Sequence, residues 1–236
     1  MTSDEAEYTG ETLREEIDEE TDGLPLRERY GIVLLLILAA YVVAGFDQGR
    51  WVLVVNSFLW VTVLLTTLWS PGIPRVLRRV GLAATALVLF SALTVGVFAS
   101  ATADGYRLLL LAVAQFAAIL AILHRILRHR TVTIQTVMGG ISAYALIAFV
   151  MSSIYFGLDL MTDQEFLNGV VDNGDYTYFS FVTLTTVGYG DILAASNLAK
   201  RLVVIEAFVG QVFIITFVAR LVSLWGKPLK PEPGRG

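Results

Sequence analysis

TLTTVGYGD, running from Thr183 to Asp191, decides how the rest of this chain is read. It holds two glycines and a tyrosine, and before its terminal aspartate it has no carboxylate, imidazole, thiol or amine side chain. Just ahead of it, Tyr176 to Thr185 (YTYFSFVTLT) is apolar and aromatic. That run is about ten residues long, so as a helix rising about 1.5 Å per residue it reaches only half way through a bilayer. It reads as a re-entrant half-helix with Asp175 as its N-cap. Non-helical backbone at membrane depth is tolerated only where protein buries it or a watery path runs beside it. The glycine loop is therefore expected to line something wet.

The surrounding sequence is that of a membrane protein. Of 236 residues, 56% are hydrophobic and 16% charged, and the apolar runs are too long and too numerous for a soluble core. Six runs approach the roughly 20 residues needed to cross a hydrocarbon layer: 30–46, 51–69, 80–102, 108–123, about 132–156 and about 198–225. Asp47-Gln48-Gly49-Arg50 and Ser70-Pro71-Gly72-Ile73-Pro74 break the first pairs, and Gly226 and Pro228 end the last run. The expected fold is an all-α membrane protein with six transmembrane helices, the half-helix and glycine loop lying between the fifth and sixth.

Basic residues set the orientation. Arg14, Arg27 and Arg29 precede the first run, Arg75, Arg78 and Arg79 follow the second, Arg125, Arg128 and Arg130 follow the fourth, and Lys227, Lys230 and Arg235 follow the sixth. Both termini are thus expected in the cytoplasm of a cell whose plasma membrane the chain spans several times, with the glycine loop outside. Ten of the first 22 residues are acidic, which predicts a solvated segment and argues against a nucleic-acid partner. With no cysteine and only two histidines, neither a disulfide framework nor a metal cluster is expected, and no cofactor or enzyme activity is implied. Four regions result: an acidic N-terminal segment (1–29), a four-helix region (30–130), a region holding the half-helix and loop (131–225) and a short tail (226–236).

A ring of backbone carbonyls can replace the hydration shell of an ion without placing a formal charge in its path. For successive carbonyls to point one way the backbone must alternate its handedness, and Gly188 and Gly190 are spaced to allow this. Tyr189 is expected to point away from the path and pack into surrounding protein. The half-helix aims its partly negative C-terminal end inward, which favours a cation there.

Thr186-Val187-Gly188-Tyr189-Gly190 resembles the selectivity filter of the potassium-channel family, of the prokaryotic type with six transmembrane helices. The resemblance extends over roughly residues 132–225 as outer helix, pore helix, filter and inner helix. It implies that the carbonyls of Thr186, Val187, Gly188 and Tyr189, with the Thr186 hydroxyl, coordinate K+, and that Tyr178 and Asp191 brace the filter by a hydrogen bond. Val182 stands where some bacterial members carry a buried glutamate. One filter per chain implies a homotetramer, each chain meeting three identical subunits among membrane lipids. An alternative is a non-conducting or regulatory subunit of the same fold.

In the sixth run Gly210 stands where the family often places a hinge, and Phe213, Ile214, Phe217 and Leu221 are candidates for an apolar gate. Glu206, an acid within the span, is expected to face protein as a brace behind the half-helix or to pair with Lys200 or Arg201. The fourth run has the position of a voltage-sensing helix but no arginine between residues 108 and 123; Gln115 is its only strongly polar residue.

Overall fold

The computed structural model describes residues 30–44, 50–68, 73–93, 100–128, 133–162 and 165–224. The acidic segment, the turn at 47–49, the break at 70–72, His129, Arg130, Asp163 and the tail lie outside the described residues. Seven helices are described: α1 (Tyr30–Ala44), α2 (Arg50–Leu68), α3 (Arg75–Leu93), α4 (Ala101–Arg128), α5 (Ile134–Asp159), α6 (Gly174–Leu184) and α7 (Asn197–Leu224). Two short strands, β1 (Leu167–Asn168) and β2 (Leu193–Ala194), pair antiparallel with Leu167 opposite Ala194.

Of the expected crossings, α4, α5 and α7 are long and apolar enough among the described residues, while Tyr30–Val43 and Phe58–Leu68 form shorter apolar helices. The third and fourth runs divide differently from the expectation. Residues 101 and 102 open α4, which Ser100 starts: its hydroxyl accepts the Ala103 amide at 3.2 Å and its carbonyl the Asp104 amide at 3.1 Å. Asp104 pairs with Arg107 one turn on, so the two charges support a helical first turn rather than a break. At the other end Arg125 and Arg128 suit the negative helix terminus, and α4 runs past residue 123.

α5 occupies the centre. A capping box starts it, the Thr136 amide donating to the Thr133 hydroxyl at 3.2 Å and the Thr133 amide returning to the Thr136 hydroxyl at 3.3 Å. Leu146, Ala148 and Tyr155 are wholly buried, and Phe149 meets Trp60 of α2 edge to face at 4.7 Å. Small residues let neighbours approach closely: a Cβ on Gly157 would lie 3.0 Å from the Gly105 carbonyl of α4, and the Phe217 ring of α7 rests directly on Gly140. A second cluster, with Tyr155, Phe166, Tyr176 and Ile192 at its heart, fastens the loop after α5 to α6.

The half-helix is present as α6, 11 residues long, but Asp175 does not cap it. Asn173 is the N-cap residue. Asp175 lies in the first turn and reaches back, its Oδ2 accepting the amides of Val171 at 2.7 Å and Asp172 at 3.2 Å. The Asp172 side chain accepts the Gly174 amide at 2.6 Å, and this turn starts the helix two residues earlier than the apolar run suggests.

Candidate functional site

α6 carries the glycine loop at its C-terminal end. Its last carbonyls hold the loop's first amides: Thr186 donates to Thr183 at 2.9 Å, and Val187 and Gly188 both donate to Val182, at 3.0 and 3.4 Å. Beyond this anchor the chain takes left-handed φ at every second residue, +61° at Thr186, +55° at Gly188 and +82° at Gly190. Added Cβ atoms on Gly188 and Gly190 would meet nothing within 4 Å, so conformation rather than crowding requires glycine there. Among the described residues no amide donates to the carbonyls of Thr186, Val187, Gly188, Tyr189 or Gly190. The loop is a short ribbon of alternating handedness with its acceptors uncommitted.

Tyr178 and Asp191 come together. The Tyr178 hydroxyl donates to Asp191 Oδ2 at 2.7 Å, tying the N-terminal half of α6 to the end of the loop. The bond from Tyr178 holds the Asp191 carboxyl below the usual aspartate range, and the same bond pushes the Tyr178 phenol up to about 12. The Tyr189 ring lies parallel to that of Tyr178 at 6.4 Å, yet Tyr189 remains 71% exposed. Its expected packing into protein is thus limited, within this chain, to one stacked face.

The preceding loop clamps the exit of the ribbon. β1 pairs with β2, the Ala195 amide donates to the Phe166 carbonyl at 3.1 Å, and Gly169 at φ +83° comes so close to the Asp191 carbonyl that a Cβ would lie 2.5 Å away. Asp159 accepts the Phe166 amide at 3.0 Å and the Tyr176 hydroxyl, so it holds this loop together.

Behind α6, Glu206 of α7 is 1% exposed. Tyr155 of α5 donates to its Oε2 at 2.6 Å and Ser180 of α6 to its Oε1, while Ser180 also contacts the Ala148 carbonyl at 2.8 Å. Glu206 is a brace joining three helices, and the expected alternative of a pair with Lys200 or Arg201 is not formed. Gly210, one turn on, is buried against the end of α6, where a Cβ would lie 2.6 Å from Leu184 Cδ1 and 3.1 Å from the Leu184 carbonyl. That carbonyl accepts the Tyr144 hydroxyl at 2.8 Å.

The gate candidates face different ways. Phe213 and Phe217 stack on each other at 5.7 Å and pack into the core, Phe213 beside Tyr144 and Phe217 over Gly140. Ile214 is exposed and Leu221 half-buried. Local patterning gave no sign of one contact: Arg220 of α7 donates to the Ile126 and Leu127 carbonyls at 3.1 and 3.0 Å, closing the C-terminus of α4.

Residues 141–226, from within α5 to just past α7, match the family described as "Ion channel". "Two pore potassium channel b" of Oryza sativa subsp. japonica is 35% identical over 78 residues, 33% of this chain and 21% of that protein. "Potassium channel K2" of Plasmodium falciparum (isolate 3D7) is 32% identical over 88 residues, 36% of this chain and 6% of that protein. The chain therefore spans a small part of the length of these relatives. No solved structure matches it. The matched ion-channel domain contains α6, the loop and α7, and together with the long apolar helices it points to a membrane channel and not to an enzyme.

Proposed function

We propose that this chain is one subunit of a potassium-selective channel that conducts K+ passively across the plasma membrane. The observation that carries the reading is the alternation of left-handed φ at Thr186, Gly188 and Gly190 on a loop anchored to a half-helix. Such a ribbon turns successive carbonyls toward one side, and four copies around an axis make rings that substitute for the hydration shell of a dehydrated cation. K+ is coordinated by the carbonyls of Thr186, Val187, Gly188 and Tyr189 and by the Thr186 hydroxyl, with Gly190 turning the chain out and Tyr178–Asp191 bracing it. Each chain has one such loop, so the channel is a homotetramer.

In this reading residues 30–130 form a charge-poor four-helix domain and 131–225 the pore domain. Six crossings then leave the segments 1–29 and 226–236 in the cytoplasm. Gly210 is a hinge in the inner helix, and Phe213, Ile214, Phe217 and Leu221 line or support the gate. The relatives' printed names agree with potassium as the ion.

The purified chain in liposomes is expected to carry K+ or Rb+ down a gradient with no energy source, far faster than Na+. Tracer uptake measures this directly. Equal Na+ uptake would refute selectivity, and no uptake at any voltage or pH would favour a non-conducting subunit.

A further inference from the structure

Between α1, α2, α4, α5 and the first turn of α6 lies a cavity of about 180 Å³, with Asn56, Gln115, Ser152, Ser153, Gly174 and Thr177 in its wall. Polar atoms in such an interior need partners, because low-dielectric surroundings make an unpaired one costly. Some are paired: Ser152 and Thr177 share a bond of 2.8 Å, and Ser153 donates to Gln115 Oε1 at 3.2 Å. Among the described residues, two buried atoms at the cavity have no protein partner, Gln115 Nε2 and Asn56 Oδ1, although Gln115 is only 1% exposed. Turning the Gln115 amide over would hand Nε2 to Ser153 and leave Oε1 bare instead. One end of that amide is unpaired in either orientation.

We propose that this cavity is a binding site for a small neutral guest that both donates and accepts hydrogen bonds, namely a cluster of ordered water joining Gln115 of α4 and Asn56 of α2 to α5 and the start of α6. Among the described residues no charged side chain lines it, which disfavours an ion. A lipid tail would leave both amide atoms unpaired. At about 30 Å³ per water in the liquid, the space holds on the order of six, enough to bridge the two amides and the hydroxyl pair. The site depends on neither the tetramer nor the ion preference proposed above.

The test is a high-resolution map of the full chain in lipid nanodiscs, together with the melting temperature of Gln115→Leu. Discrete spherical density within hydrogen-bonding distance of Gln115 Nε2 and Asn56 is expected. The variant, which loses the Ser153 bond together with those to water, should melt lower by roughly 2–4 °C. A cavity without density beside well-resolved side chains, or filled by continuous chain-like density, would overturn the proposal. So would a higher melting temperature for Gln115→Leu, because removing an amide helps only where that amide was left dry and unpaired. The wild-type map decides the matter even where the variant does not fold.

Discussion

Thr186 carries a left-handed φ of +61° without being glycine, a conformation that costs an L-residue roughly 1–2 kcal/mol. It is held there by the amides on either side of the turn, Thr186 to Thr183 and Val187 to Val182, a restraint that no residue type announces. Gly188 and Gly190, by contrast, were legible from spacing alone, because the conformation they adopt is the one only glycine takes freely. The Tyr178–Asp191 bond has a definite pH window. Asp191 titrates below its ordinary 3.8 in the folded chain, so its contribution is present above pH 3.8 and is lost as pH falls through the lower folded value. Tyr178 titrates above its ordinary 10.0, so its contribution is present below pH 10.0 and is lost as pH rises through about 12. The difference between tyrosinate absorbance titrations of wild type and Tyr178→Phe should show a midpoint at about 12. A midpoint at 10.0 would mean that the bond is not formed in solution.

At the scale of elements, the half-helix is held by three contacts with two helices. Glu206 and Ser180 join it to α7, Ser180 also joins it to α5, and Gly210 lets α7 lie against its last residue. The need for a partner at Glu206 was legible, since an acid within a span must face protein, but the identity of Tyr155 and Ser180 was not. They stand 51 and 26 residues away in the chain, and only the docking of three helices brings them within reach. Gly210→Ala separates two roles. Packing against the Leu184 carbonyl, which Tyr144 already holds, predicts overpacking of about 1–3 kcal/mol and a clear fall in melting temperature. A hinge alone predicts altered opening with unchanged melting, read by single-channel recording beside a thermal melt. Arg220 adds a link between α7 and the end of α4, so in the proposed channel movement of α7 bears on α4.

At the scale of the molecule, α5 and α7 differ sharply. In their most apolar windows α5 is 72% buried within the chain and α7 only 11%, with Val204, Phe208, Ile215 and Val222 exposed. Tyr189 and Val187 of the loop are exposed too, at 71% and 51%. Neighbouring copies and lipid supply the missing cover in the proposed tetramer. The four-helix region has no charged residue between 108 and 123 to move through the field, and each charge would be worth about 2.3 kcal/mol per 100 mV. Open probability is therefore expected to stay flat from strongly negative to strongly positive potentials. A steep sigmoid in bilayer recordings would show that Arg125 or Arg128, in the last turn of α4, enters the field.

The sequence by itself determined the membrane class, the half-helix and the glycine ribbon, because apolar run length and the conformational freedom of glycine are local properties. It misplaced the boundary between the third and fourth runs and the cap of α6, where short polar turns rather than hydropathy decide the start of a helix. Only the tertiary structure decided which groups meet: Glu206 with Tyr155 and Ser180, Arg220 with the end of α4, β1 with the exit of the loop, and the amides of Asn56 and Gln115 around one cavity. Those contacts join residues far apart in the chain, and packing around α5 brings them to hydrogen-bonding distance.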